Sequence, residues 1–320
     1  MQILEAVPNV SEGRRSEVIR RVVQAAASVQ GVHVLNIDSN PDANRSVITL
    51  AGEPQALIRS LFLLFQEAAR QIDMRLHHGV HPRLGAVDVC PLIPIQNISL
   101  EGTARYAQIL AQQVGQTLQI PVYLYEENAS TPSRKNLAFI RQGEYESLPR
   151  KLEILPPDFG PIQYNKQVSQ TGATVIGARK ILIAFNLSLN TQDVQKARKI
   201  ASQLREKNGG LKAVKAIGWY MEHYRCAQVS CNLTDYTQTG LAEVFETCKK
   251  LAAEQNASVT AGELIGLLPQ DALVQAGRFY MPNEENTATL IKVAVEKLLL
   301  NKIRPFVIQE RILESLLSLQ

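Results

Sequence analysis

Two periods of apolar residues run along the chain, and their order predicts most of its elements. Ile3 to Val7 reads as a short strand, and Pro8-Asn9-Val10-Ser11-Glu12-Gly13 as a turn into a helix from about Arg15 to Ser28. Val18, Ile19, Val22, Val23 and Ala26 form one face of that helix. Val32 to Ile37 and Ser46 to Leu50 read as two strands joined through the polar turn DSNPDANR. A helix from Glu53 to Gln71 and a strand from Ala86 to Ile95 follow. The order is βαββαβ, the signature of a ferredoxin-like unit.

A further helix, Leu100 to Leu118, leads into a strand over Pro121 to Tyr125, which would enlarge the sheet to five strands or more. From Glu126 to Lys166 the pattern turns irregular, with a short helix near Arg134 to Ile140, and so long a loop region in a compact protein is usually functional. The first arrangement then recurs. Ile181 to Ser188 echoes Ile3 to Ser11, and Asn186 follows Asn9, Ser188 follows Ser11 and Gly262 follows Gly85 by the same interval, 186 − 9 = 188 − 11 = 262 − 85 = 177. A helix from Thr191 to Glu206, strands over Val214 to Met221 and Ala227 to Leu233, a helix from Gly240 to Glu254 and a strand over Gly262 to Leu268 complete the second round. A helical tail with Leu290, Val293, Ala294, Leu298 and Leu299 on one face closes the chain. The expected fold is α+β: two related ferredoxin-like (βαββαβ) subdomains, 1–180 and 181–320, with a ligand cleft or tunnel between them.

Composition narrows the function classes. The 34 basic and 30 acidic residues are dispersed, so nucleic acid is not an expected partner, while an anionic small molecule suits the net charge of +4. The N-terminus MQILEAVPNVSEGR has neither the charge order nor the apolar run of a signal peptide or membrane anchor. The most apolar helix, Leu57 to Ala69, is too short to span a bilayer and carries Arg59, Gln66 and Glu67. Cys90, Cys226, Cys231 and Cys248 show no CxxC spacing, which fits buried free thiols in a reducing cytoplasm.

The densest chemistry lies in RLHHGVHPRLGAVDVCPLIP, residues 75 to 94, which holds three of the five histidines. His77 and His81 have the i, i+4 spacing of a zinc helix, but Gly79 and Pro82 break that helix and no further ligand motif follows, so no metal is expected. Favourable charge at a helix C-terminus accounts for His77 and His78. His81, held extended by Pro82 on a loop before a strand, suits a general base, with a purely structural histidine as the alternative. Asp38 and Asp42 fall in the loop after the second strand, where Asx residues commonly serve turns. Asp38 is the better functional candidate, able to orient an imidazole or bind a cation from the end of an apolar strand. Asn9 and Ser11 are expected to cap the first helix, with ligand binding as the alternative. Gly172-Ala-Thr-Val-Ile-Gly177-Ala-Arg179-Lys180 lacks the Gly-Lys-Ser/Thr ending of a phosphate loop, yet its small residues let a ligand approach, and Arg179 would pair with a carboxylate. Tyr123, Tyr125, Phe159 and Tyr164 could stack on a planar ring, although isolated aromatics more often serve the core.

With these residues in view the chain resembles the glutamate formimidoyltransferase (formiminotransferase) family from end to end. The motifs are VPNVSEGR (7–14), IDSNPDANRSV (37–47), HHGVHPRLGAVDVCPLIPI (77–95), PVYLYEE (121–127), IRQGEYESLPRK (140–151), PDFGP (157–161), GATVIGARKILIAFNLSLN (172–190) and GWYMEHYRCAQVSCNL (218–233). The resemblance implies transfer of the formimino group from N-formimino-L-glutamate to N5 of tetrahydrofolate, the co-substrate, in histidine breakdown, without a metal. It places the catalytic histidine on His81 and its acidic partner on Asp38, with substrate and folate contacts at Asn9, Arg45, Gly160, Pro161, Ile162, Gln163, Tyr164, Gly172 and Arg179. Two departures stand out: PIQYNKQVSQT after Gly160 replaces a shorter, more aromatic stretch, and Glu126 replaces a glycine. The length leaves no room for the cyclodeaminase fused in some relatives, so a separate cyclodeaminase is the expected partner activity, and family and sheet edges point to a homodimer. Formyl transfer from 5-formyltetrahydrofolate and a non-enzymatic folate-binding module are the alternatives.

Overall fold

The computed structural model describes residues 1–318 and divides into two compact units, Met1–Lys180 and Ile181–Gln320. In the first unit the elements are β1 (Ile3–Ala6), β2 (Asn9–Val10), α1 (Ser16–Ala27), β3 (Val32–Asn40), β4 (Arg45–Gly52), α2 (Pro54–Gln71), β5 (Val87–Gln96), α3 (Leu100–Thr117), β6 (Val122–Leu124), α4 (Leu137–Arg141), α5 (Leu148–Ile154), α6 (Lys166–Thr171) and β7 (Thr174–Ala178). β1 and β2 are halves of one strand between β4 and β5, parted at Val7–Pro8 because proline has no N–H for the ladder. The strand therefore resumes where the sequence suggests a turn. β3 is the edge beyond β4, and β7 and then β6 add to β5 in parallel, giving seven strands.

One face of this sheet is the core. Leu4, Ile48 and Leu50 meet Leu57, Leu61, Leu64 and Phe65 of α2 with side chains essentially without solvent contact, and full burial of each contributes roughly 1.5–3 kcal/mol. β3 runs three residues past its predicted end and β4 starts one residue early, so the turn shrinks to residues 41–44. Backbone pairing continues to Asn40↔Arg45, and the Ser39 and Ser46 hydroxyls bond at 2.8 Å across it. Polar residues are tolerated here because β3 is an edge strand. The unpredicted β7 lies in a stretch whose glycines, Gly172 ahead of it and Gly177 within it, resemble a loop. Gly177 is small because the Tyr125 carbonyl passes where its Cβ would stand, at 2.3 Å.

The stretch 126–166 is built rather than loose. Arg134, buried, donates from Nη1 to Asp158 Oδ2 at 2.6 Å and from Nη2 to the Pro156 carbonyl at 2.6 Å, and lies 5.5 Å from the Tyr123 ring centroid. Its predicted helix divides into a 3-10 turn and α4, because the Asn136 side chain accepts from the Ala138 N–H and starts a new helix.

The second unit holds β8 (Ile183–Leu189), α7 (Val194–Leu204), β9 (Val214–Met221), β10 (Cys226–Leu233), α8 (Leu241–Glu254) and β11 (Val259–Ile265), then α9 (Gln270–Tyr280), α10 (Thr287–Lys297) and α11 (Leu313–Ser318). Its antiparallel sheet has the order β11-β8-β10-β9. Numbering each round of βαββαβ strands one to four, both units order them fourth, first, third, second. The 177-residue offset does not reach the fourth strand, since Gly85 precedes β5 whereas Gly262 lies inside β11. All four cysteines are free thiols, three of them buried. No helix of the described residues is long and apolar enough to cross a membrane.

Candidate active site

The His-rich segment leaves α2 through a 3-10 turn, Met74–Leu76, and is then held at both ends. On one side it lies on the β3–β4 turn. The Val80 N–H donates to the Asp42 carbonyl at 3.1 Å, and Asn44, in the left-handed region at φ +47°, donates from Nδ2 to the His78 carbonyl at 3.0 Å. Gly79 permits this approach, because a Cβ there would stand 2.2 Å from the Ala43 carbonyl oxygen. At the other end Gly85 pairs with Gly172, the Ala86 N–H donates to Thr171 and the Ala173 N–H to Leu84. A Cβ on Gly85 would clash with the Thr171 and Ala173 backbone and one on Gly172 with that of Leu84 and Gly85, and Gly172 also needs φ +69°. The Ser11 hydroxyl adds a bond to the Gly85 carbonyl at 2.7 Å. His81 sits between these two anchors.

His81 Nδ1 lies 2.8 Å from the Pro82 carbonyl oxygen. A carbonyl only accepts, so Nδ1 carries the proton and Nε2 carries the lone pair of the neutral ring. Burial holds the imidazole well below its ordinary range, and the Arg45 and Arg141 guanidiniums push it in the same direction against a smaller opposing pull from Asp88. His81 is a neutral base at neutral pH.

Those three charges form a buried cluster. Asp88, with no solvent exposure, accepts from Arg45 Nη1 at 2.6 Å, from Arg141 Nη2, from Arg141 Nε at 3.3 Å and from the Leu84 N–H at 2.9 Å. Burial pushes its carboxyl up, but Arg141 and Arg45 together outweigh that and hold it at about 2. Burial brings Arg45 down to about 10 against the attraction of Asp88, so it stays protonated. The pairing of β2 on β5 shifts between Asn9↔Val89 and Val10↔Val87, leaving Asp88 in the step. Two cations and one anion leave this trio at +1 beside a neutral base, which favours an anionic or electron-rich reactant.

Arg141 enters from far along the chain, and Arg83 holds its turn in place. Arg83, buried, donates to Glu144 Oε2 at 3.0 Å and to Glu146 Oε1 at 2.6 Å, and its carbonyl accepts from the Tyr145 N–H at 2.9 Å. Arg83 Nε also donates to His77 Nδ1 at 3.3 Å, while His77 Nε2–H donates to the Asn44 carbonyl at 2.8 Å. Burial lowers the His77 pKa, so this ring is a neutral strut rather than a charge on a helix end. Among the described residues no three His, Cys, Asp or Glu side chains gather as metal ligands.

Several sequence-predicted residues meet here and others do not. Asn9 Oδ1 accepts from Arg45 Nε at 3.0 Å, and Asn9 Nδ2 donates to the Val7 carbonyl at 2.7 Å. Neither Asn9 nor Ser11 caps α1, correcting the capping expectation. The N–H groups of Arg14 and Arg15 go instead to Glu12 Oε1, at 2.9 Å each. Asp38 is a strand residue, not a loop residue, because β3 extends beyond it. It is buried, accepts from Asn36 Nδ2 at 3.0 Å and stands in one cross-sheet row with Val47, Asn9 and Val89. Gly160, at φ +86°, packs against Ile120 and Gly115, and its conformation is explained by that close approach. Ile162 and Tyr164 are exposed, as is Gln163, and Pro161 is half-buried. Tyr145, which bonds the Ser169 carbonyl, also approaches the Tyr164 hydroxyl at 3.5 Å. Arg179 lies four residues past Val175, the partner of Val89, so it is roughly 13 Å further along the sheet. It donates to the Lys180 carbonyl at 2.8 Å. Asp88 and Arg141 were missed as site residues. Asp88 reads as one polar position in an apolar strand, and Arg141 lies 53 residues from it, with no local signal joining them.

Residues 3–179 match the formiminotransferase domain, N-terminal subdomain, and residues 184–318 match the formiminotransferase domain. The chain belongs to the formiminotransferase family. Among relatives of this formiminotransferase chain, glutamate formimidoyltransferase of Streptococcus pyogenes serotype M1 is 40% identical over 285 residues, covering 89% of this chain and 95% of the relative. Glutamate formimidoyltransferase of Thermoplasma acidophilum is likewise 40% identical over 285 residues, covering 88% and 93%. Formimidoyltransferase-cyclodeaminase of Mus musculus is 42% identical over 327 residues, covering 98% of this chain. The chain spans 60% of that relative's length.

Proposed function

We propose that this formiminotransferase chain is a glutamate formimidoyltransferase, moving the formimino group from N-formimino-L-glutamate to N5 of tetrahydrofolate. The observation that carries the reading is His81. It is a neutral imidazole whose Nδ1–H donates to the Pro82 carbonyl, so that Nε2 carries the ring's lone pair, under the influence of two guanidiniums. His81 takes the proton from N5 as that nitrogen bonds to the amidine carbon. It returns the proton to the glutamate nitrogen as the carbon–nitrogen bond of the tetrahedral intermediate breaks, so no net proton is consumed. Asp38 stabilises the protonated amidine or orients His81, and Asn9 and Arg45 meet the substrate. The 160–164 segment, Gly172 and Arg179 contribute to folate binding. Relatives of stand-alone length bearing this activity in their names support the assignment.

The fold reading belongs to the same proposal: two related ferredoxin-like subdomains with a cleft or tunnel for the reactants. The shared fourth-first-third-second strand order supports it. The protein acts in the cytoplasm as a homodimer.

The test is formation of 5-formiminotetrahydrofolate, read after acid conversion to the methenyl form, with wild type and His81→Ala in parallel. Turnover should fall by roughly 100-fold or more in the variant, the scale of general-base catalysis. Equal turnover by the two proteins would remove His81 from the mechanism. No turnover from formiminoglutamate, with activity from 5-formyltetrahydrofolate, would reassign the donor. Folate binding without turnover of either donor would make the chain a binding module.

A further inference from the structure

The guanidinium of Arg141 reaches Asp88 only if the short helix that ends with it is held in place. α4 has five residues, too few to be stable by itself, and Arg141 is its last. The carbonyls immediately before and after Arg141, those of Ile140 and Gln142, both accept from Lys151 Nζ, at 2.8 and 2.6 Å. Lys151 comes from α5, is only 6% exposed, and forms no ion pair among the described residues. An ammonium buried without a counter-ion costs free energy, and here its partners are two carbonyls that bracket one functional side chain.

We propose that Lys151 is a positioning residue for His81: by gripping the backbone on both sides of Arg141 it keeps that guanidinium on Asp88 and so sets the charge His81 faces. Direct contacts run from Lys151 to Asp88, and the charges gathered there act on His81 through space. Lys151 holds the α4 terminus, Arg141 holds Asp88, and Asp88 and Arg45 complete the charged surroundings of His81. Loss of the grip lets Arg141 withdraw, removing a cation that disfavours the imidazolium. The pKa of His81 then rises. Since the base form must be neutral, the acid limb of kcat/KM moves to higher pH. The catalytic part of the inference rests on His81 as the general base; the electrostatic part does not.

The experiment follows the imidazole 15N signals through a pH titration in wild type, Lys151→Met, Arg141→Met and the double variant. Five histidines make the spectrum tractable, and His81→Ala identifies the signal. Arg141→Met should raise the His81 midpoint by about one pH unit or more. Lys151→Met should raise it in the same direction by at least about half a unit, and the double variant should match Arg141→Met alone, because both act through one guanidinium. If Lys151→Met does not fold, Lys151→Ala, which removes the donor and leaves space for solvent, carries the same test. A Lys151 variant that folds and titrates like wild type overturns the proposal, as does a double variant whose shift is the sum of the two. Formimidoyl transfer is assayed on the same proteins. Absence of turnover in wild type, with the titration shifts intact, would refute the functional reading and leave the positioning role standing.

Discussion

Replacing Asp88 with asparagine separates the charge of this cluster from its shape. The side chain keeps its size and one acceptor, but an amide N–H₂ now confronts guanidinium donors. Asp88 has no solvent exposure, and the Arg45 and Arg141 side chains are only 8% and 14% exposed. Removing one partner from a buried ion pair leaves the other uncompensated, at a cost of about 3–5 kcal/mol. Proton linkage provides a second, independent magnitude. A carboxyl held at about 2 rather than its ordinary 3.8 contributes on the order of 2 kcal/mol. Because the folded-state pKa is depressed, that stability is fully present above pH 3.8 and is lost as pH falls through 2. Urea unfolding followed by far-UV circular dichroism should therefore show Asp88→Asn less stable by roughly 2–5 kcal/mol at pH 7. The gap to wild type should narrow as pH falls below about 4, since the variant has no carboxyl there to protonate. His81, left facing two cations without their anion, should titrate lower still. A destabilisation under about 1 kcal/mol at pH 7, or a gap that does not change with pH, would refute the view that Asp88 holds two buried guanidiniums by charge.

Three other perturbations test the scaffold. Gly172→Ala places a Cβ 2.2 Å from the Leu84 carbonyl in a backbone region reserved for glycine, and should cost more than about 2 kcal/mol in urea unfolding; a neutral result would mean that the Gly85–Gly172 contact is not tight. Glu126, where relatives are expected to carry glycine, sits at φ +51°, so Glu126→Gly should be neutral or stabilising by up to about 1 kcal/mol, and a clear loss of thermal stability would show that its side chain contributes more than its backbone costs. Arg134→Met strips the largely buried Asp158 of its cation and should destabilise by about 3 kcal/mol, with a change below 1 kcal/mol arguing that the 126–158 strap is held by its backbone contacts alone.

Much of the architecture is decided by local patterning, which is why it is legible without coordinates. The amphipathic faces of α1, α2 and α3, the apolar run of β5 and the βαββαβ order recur in the structure within a few residues, because period and capping are properties of short windows. The loop that carries His81 is also legible, since Gly79 and the proline after the histidine break any helix there. What escapes are features set by partners distant in the chain. β3 continues through Asp38 and Asn40 because β4 pairs with it, against their turn preference. β7 is a strand because β5 and β6 flank it, although its glycines suggest a loop. Asn9 is drawn from helix capping to Arg45 by the break at Pro8 and the shifted register of β2 on β5.

The sequence by itself determined the alternation of strands and helices, the family motifs and the loop on which the imidazole sits, each encoded in contiguous residues. Only the tertiary structure decided the electrostatics around that imidazole. Arg45, Asp88 and Arg141 come from two strands and a helix end separated by 43 and 53 residues, and a charge of either sign matters to His81 only through its position and the burial of the groups around it.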